Sequence, residues 1–140
     1  MIRYQDDLAG VAADDLTGFF EGWPTYPSAG DHLRLLRGSA LIALAIDGTR
    51  VVGFATAITD GVLAAYVPLL EVLPGYRGAG IGRELVGRLF AQLDDLYMVD
   101  LSCDDELAPF YEGLGMRRAV AMVRRNYDAQ PGRRAPDLDT

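Results

Sequence analysis

The chain contains no lysine; all thirteen of its basic residues are arginine. A phosphate-binding P-loop, which needs a Lys followed by Ser or Thr, is therefore excluded for any glycine-rich loop found here. Cysteine is nearly absent. Cys103 stands alone and His32 is the sole histidine, so no internal disulfide can form and no cysteine–histidine cluster has zinc spacing. No metal site is expected. Basic runs never exceed two residues, and the formal net charge is −7. A nucleic-acid backbone is thus a poor partner, and a cationic acceptor is the better one. Eighteen consecutive apolar residues occur nowhere, and Asp6 and Asp7 stand where a leader would be charged and then apolar. No membrane partner is expected, and the compartment is read as cytoplasmic.

What is present suffices for one compact domain. The chain has 140 residues, of which 50% are hydrophobic, enough to bury a core of ordinary size. Residues 1–127 read as that domain. From residue 128 the composition turns to Gly, Pro and charge, and 128–140 is expected to be a mobile tail. Residues 2–5 read as a first strand, and 12–20 and 28–37 as helices joined by a turn-rich Gly22-Trp23-Pro24-Thr25-Tyr26-Pro27. Residues 40–46 and 50–59 flank Asp47-Gly48-Thr49, a hairpin signal. Asp60-Gly61 repeats it before an apolar strand ending near Leu73. Residues 96–102 and 118–127 read as further strands, and Asp104 or Asp105 as the cap of a short helix holding Pro109 in its first turn and ending at Gly115.

The most informative stretch is Val72-Leu73-Pro74-Gly75-Tyr76-Arg77-Gly78-Ala79-Gly80-Ile81-Gly82-Arg83. Ile81, Leu85, Leu89 and Leu93 recur every fourth residue, so a helix begins where three alternate glycines have stripped the side chains away. Backbone N–H groups at such a helix start can wrap an anion. A dinucleotide fingerprint fails, because Arg83 stands where its third glycine belongs.

What does match is Arg-x-x-Gly-x-Gly, carried by Arg77, Gly80 and Gly82 after Val72-Leu73-Pro74. This segment resembles the acyl-CoA-binding motif of the GNAT superfamily of N-acetyltransferases. Phe110-Tyr111-Glu112-Gly113-Leu114-Gly115-Met116, beginning 28 residues after Gly82, resembles that family's Phe-Tyr-Glu-x-Leu-Gly-Phe signature. The resemblance can be followed over residues 2–127. It implies a single α/β (α+β) domain in which a central mixed sheet is flanked by helices and two parallel strands splay apart to admit acetyl-CoA.

The resemblance also implies roles. The N–H groups of Gly78, Ala79, Gly80, Ile81, Gly82 and Arg83 would hold the pyrophosphate, with Arg77 and Arg83 adding side-chain contacts. The backbone of Leu70, Glu71 and Val72 would bind the pantetheine arm and polarise the thioester carbonyl. Tyr111 would protonate the departing thiolate. Asp104 stands where the family often has an Asn that contacts the cofactor, and an ionised Asp cannot donate. Trp23, Tyr26 and Pro27 fall in the segment bordering the acceptor pocket.

A base must accept the amine's proton. Glu71, the one charged residue of an apolar strand, is a candidate because burial would strengthen it as a base, although alternation turns it away from the face shared by Val72. Asp100 is a second candidate, and a chain of waters a third route. His32 is expected on the surface and Cys103 buried as a small apolar residue. The whole reads as an acetyl-CoA-dependent N-acetyltransferase working by direct attack on a small-molecule or peptide amine, monomeric or homodimeric. The alternatives are a noncatalytic acyl-CoA sensor or an interaction module that has lost the cofactor. The three retained glycines speak against the module.

Overall fold

The computed structural model describes residues 1–133. Five strands form one mixed sheet in sequential order: β1 (Ile2–Gln5), β2 (Leu41–Asp47), β3 (Arg50–Thr59), β4 (Ala64–Val72) and β5 (Met98–Asp100). The first four pair antiparallel, and β5 joins β4 in parallel. A parallel neighbour needs a crossover, which α2 (Ile81–Gln92) supplies. The β2–β3 hairpin turns where expected, with Gly48 at φ 66°. Its strands are covered on both faces, so Leu44, Val51, Val52, Phe54 and Ala55 are wholly buried.

On one face lies α2, with Leu85, Val86 and Leu89 fully buried, each worth roughly 1.5–3 kcal/mol of burial. The approach is close at Gly53, where any Cβ would stand 3.0 Å from Leu85 and 3.2 Å from Ile81. The other face carries α1 (Ala29–Gly38), begun by Ser28, whose Oγ accepts from the Asp31 N–H at 3.1 Å. Phe19 and Phe20 pack there on Phe54, with ring centroids 5.0 and 6.2 Å away.

Several expectations are corrected. Residues 12–20 form only a 3-10 turn, Ala13–Leu16, because Gly18 and Phe20 adopt φ of 96° and 65° and leave the helical region. His32 is not on the surface: it is 1% exposed and ringed by Phe19, Phe20 and Phe54 at 5.2, 5.0 and 4.4 Å. Those aromatics come from a loop and a strand distant in sequence, so the helix pattern alone could not show them. Cys103 is exposed rather than buried. The strand expected over 96–102 is confined to Met98–Asp100. Residues 118–127 do not form a strand; the chain there joins no ladder, and a 3-10 turn occupies Tyr127–Ala129. Of the expected tail, 134–140 lies outside the described residues.

The element that matters most for function is β4. Between its Leu69, opposite Thr56, and its Tyr66, opposite Ile58, the register with β3 shifts, so β4 carries one extra residue there. This bulge contains Pro68, which has no N–H to give a ladder. The β4–β5 pairing covers Ala64↔Met98, Ala65↔Val99 and Tyr66↔Asp100 and goes no further. Beyond it β4 stays paired with β3 to Val72, while its edge toward β5 lies open.

Candidate active site

The open part of β4 leads through Leu73 and a 3-10 turn, Pro74–Tyr76, into the glycine loop. Tyr76 anchors the turn by donating its hydroxyl hydrogen to Asp47 at 2.7 Å. Gly78 and Gly80 have φ of 81° and 82°, which L side chains rarely adopt, and the space where a Cβ would stand at either is empty to 4 Å. Gly80 is the N-cap of α2, and its carbonyl accepts the Glu84 N–H at 3.1 Å. The N–H groups of Ile81, Gly82 and Arg83 belong to the first turn and have no intrahelical acceptor. Gly78, Ala79, Gly80 and Arg83 are exposed. A cradle of free donors at a helix's positive end, clear of side chains, fits a pyrophosphate.

Arg77 is committed elsewhere. Its Nε donates to the Val72 carbonyl at 2.9 Å, and its terminal nitrogen pairs with Glu21 at 2.6 Å. Glu71 reaches the same loop from the strand. Its two carboxylate oxygens accept the N–H groups of Phe20 at 2.9 Å and Glu21 at 3.3 Å. Glu71 lies opposite Phe54 in the ladder and Val72 opposite Gly53. Glu71 therefore shares the α1 face, as alternation required, and Val72 the α2 face. These three side-chain bonds clamp residues 20–21 to the end of β4. Phe20 is the one non-glycine residue with positive φ among those described, a sparsely populated conformation held here by the Glu71 bond and its aromatic neighbours. Sequence reasoning missed this clamp, because the partners are about fifty positions apart and no local pattern marks them.

The aromatic signature arrives from the other side on α3 (Ala108–Glu112), with Pro109 in its first turn. Gly115, at φ 93°, closes it, and the Met116 N–H returns to the Tyr111 carbonyl at 3.2 Å. Phe110 packs on the start of α2, with its ring tip 3.8 Å from where a Cβ on Gly82 would be. Tyr111 is 8% exposed. Burial, with a smaller contribution from neighbouring Cys103, raises its hydroxyl above the usual tyrosine range. It therefore carries its proton at neutral pH. Tyr111 and Cys103 line a cavity of about 420 Å³ that reaches past Ser102 to Ala121 and Val123.

The remaining candidates are placed as follows. Leu70 is half-buried opposite Ala55. Asp100 is exposed at the end of β5. Asp104 precedes a 3-10 turn, Asp105–Leu107, and caps it with its carbonyl, which accepts the Leu107 N–H at 2.9 Å, rather than with its side chain. Trp23 packs tilted against Phe20, with ring centroids 4.9 Å apart, Pro27 is buried, and Tyr26 is 59% exposed. No group of three potential metal ligands occurs among the described residues. No helix described is long and apolar enough to cross a membrane.

Comparison with known proteins agrees with this fold. The sequence model of the acetyltransferase (GNAT) family matches residues 8–116. A candidate acetyltransferase of Deinococcus radiodurans R1 is 50% identical, with a TM-score of 0.94 over 96% of this chain and 94% of that one. A GNAT family acetyltransferase of Streptococcus pneumoniae TIGR4 is 26% identical, with a TM-score of 0.69 over 90% and 98%. An aminoglycoside N-acetyltransferase solved in complex with CoA shares the fold at 14% identity, with a TM-score of 0.64 over 90% and 94%. No curated protein matches the chain.

Proposed function

The chain belongs to the acetyltransferase (GNAT) family, and on that premise we propose that it moves an acetyl group from acetyl-CoA to a primary amine by direct attack in a ternary complex. The observation that carries this reading is the end of the β4–β5 ladder at Tyr66 and Asp100, where an open strand edge continues into the donor-lined glycine loop. An extended pantetheine arm suits that edge, because the backbone of Leu70, Glu71 and Val72 can pair with it as a strand would. The N–H groups of residues 78–83 then meet the pyrophosphate. CoA in the structure of the aminoglycoside N-acetyltransferase supports the choice of cofactor. Arg77 serves the acceptor side in this scheme, and Arg83 is the arginine free to meet phosphate.

The acceptor amine must be neutral to attack, since an ammonium has no lone pair. Glu71 is the carboxylate suited to take its proton through solvent. Two N–H bonds use half of the roughly four lone-pair positions of a carboxylate, and the others can accept from water. Asp100 is exposed at the end of β5, beyond the last β4–β5 pair. As the nitrogen–carbon bond forms and the carbon–sulfur bond breaks, Tyr111 gives its proton to the departing thiolate. The clamped segment 20–27, with Trp23 and Tyr26, forms the acceptor wall, and the net charge of −7 favours a cationic acceptor.

Scanning fluorimetry with acetyl-CoA, followed by free-thiol release over an amine panel, tests the reading. A saturating thermal shift and thiol release with at least one amine are expected. Absence of any shift at millimolar acetyl-CoA sinks the cofactor assignment, while a shift without thiol release across the panel favours the acyl-CoA sensor.

A further inference from the structure

The chain's one cysteine stands just past the point where two strands part. The last β4–β5 pair is Tyr66↔Asp100; carried on in that register, Ser102 would face Pro68 and Cys103 would face Leu69. No ladder forms there. Cys103 therefore stands across the gap from the stretch of β4, Leu70 to Val72, whose open edge takes the pantetheine arm in the scheme above. Its backbone is held on both sides. The Tyr66 hydroxyl donates to Ser102 Oγ at 3.3 Å across the parting strands, and the Leu107 N–H closes the following turn on the Asp104 carbonyl at 2.9 Å. The thiol itself is free and exposed.

A second group serves the same space. Cys103 and Tyr111 line one cavity of about 420 Å³, and the two are close enough for the thiol to add to the rise of the Tyr111 hydroxyl. Tyr111 is 8% exposed. Among the described residues its hydroxyl has no hydrogen-bond partner, unlike those of Tyr66 and Tyr76. A nearly buried hydroxyl without a partner favours an occupant of the cavity that can accept from it. In the proposed reaction that occupant is the sulfur of CoA. One sulfur of the chain and one of the cofactor then share a single cavity.

We propose that Cys103 is a site of reversible covalent modification by CoA disulfide, and that the adduct shuts the cofactor groove. The inference rests on the CoA reading of that groove. The Cys103 thiol gives its proton to solvent, and the thiolate attacks one sulfur of CoA disulfide. A bond from Cys103 to that sulfur forms as the CoA sulfur–sulfur bond breaks, and the second CoA leaves as a thiolate that solvent protonates. The disulfide itself is the oxidant. The half that stays keeps its pyrophosphate in the N–H cradle of residues 78–83, so its sulfur is held beside Cys103 before any bond forms and the attack is effectively intramolecular. Glutathione disulfide carries the same reactive bond without the pyrophosphate and lacks that advantage. While the adduct persists, acetyl-CoA is kept out. A second thiol reverses the exchange by attacking the mixed disulfide and releasing CoA. Activity then follows the ratio of thiol to disulfide in the cofactor pool.

Intact-mass measurement of the full chain incubated with CoA disulfide or glutathione disulfide tests this. A single CoA adduct is expected, placed on Cys103 by peptide mapping, formed at least about tenfold faster than the glutathione adduct and removed by a small dithiol. An excess of the nucleotide half of CoA alone, which fills the cradle and leaves the cavity free, should bring the CoA rate down to the glutathione rate. Cys103→Ser should form neither adduct and keep its thermal shift with acetyl-CoA, whereas wild type carrying the adduct should lose that shift. Equal rates with the two disulfides overturn the proposal, and so does an adduct-bearing chain that still responds to acetyl-CoA. Failure of the cofactor reading shows itself separately, as unmodified wild type that acetyl-CoA does not shift at all, and it takes the proposal with it.

Discussion

Two loops meet at the end of β4 and are held by opposite means. The glycine loop keeps its shape through its own backbone: Gly78 and Gly80 turn where only glycine turns easily, and α2 begins immediately after them. The segment of residues 17–27 has no such local device. Its course depends on Glu71 reaching across from β4 and Arg77 from the start of the glycine loop, and on Trp23 packing on Phe20 while Phe20 and His32 pack against Phe54. The first loop needs few side chains to keep its course, and the second is made of them.

The comparison can be broken from either side. On the cofactor side, Tyr111→Phe is expected to lower kcat by about 10²–10⁴-fold while acetyl-CoA still shifts the melting temperature. Unchanged kcat would remove Tyr111 from the chemistry. On the acceptor side, burial lowers His32 to about 4, opposed only weakly by the nearby Leu16 carbonyl, since neither ring nitrogen has a hydrogen-bond partner. The folded state holds the ring neutral, whereas the unfolded state protonates below its ordinary value of 6.5. Stability is therefore fully present above that value and falls by roughly 3 kcal/mol as pH drops to about 4. Denaturant titrations of wild type and His32→Leu between these pH values should separate, with the variant's slope flatter; parallel slopes would show that the ring is not the cause.

Gly80→Glu should cost the cofactor, in addition to the backbone strain of a side chain at φ 82°. A ligand at a hundred times its dissociation constant adds about 2.7 kcal/mol of stability, and fluorimetry should show that increment lost in the variant, whose side chain brings a like charge to the anion site. A surviving shift would move the phosphate site away from this loop. The smallest effect is the most discriminating. Glu71→Ala should lose roughly 1–3 kcal/mol, as two N–H groups lose an ionised acceptor, and raise the acceptor KM. Glu71→Gln keeps an acceptor for one of them, so it should melt near wild type yet show a reduced kcat. If Gln is as active as Glu, the carboxylate is a clamp and no base.

The strand, glycine loop and helix leading from β4 to α2 were legible before any coordinates. Strand, turn, glycines and amphipathic helix follow one another within residues 64–92, so periodicity and turn chemistry report them directly. Ser28 and Asp47-Gly48 marked a helix start and a hairpin for the same reason. On the acceptor side, Glu71 was visible as an oddity, and alternation correctly turned it to the face opposite Val72, but nothing local named Phe20 and Glu21 as its partners. The helix read over 12–20 failed where two positive-φ residues intervene, one of them a phenylalanine that only tertiary packing can hold there. Residues 118–127 were read as a strand or pair of strands and are not one, because a strand needs a ladder partner and β5 pairs only with β4.

The sequence by itself determined the GNAT family, the mixed α/β sheet and the anion-ready loop, because each is encoded by residues within one or two elements. Only the tertiary structure decided that Arg77 and Glu71 hold residues 20–21, that His32 is buried among aromatics, and that β4 parts from β5 after Tyr66. Those outcomes depend on which side chains from distant segments share a buried face. That is settled by the packing of the whole domain, where an unpaired charge or an unfilled space costs more than any local preference.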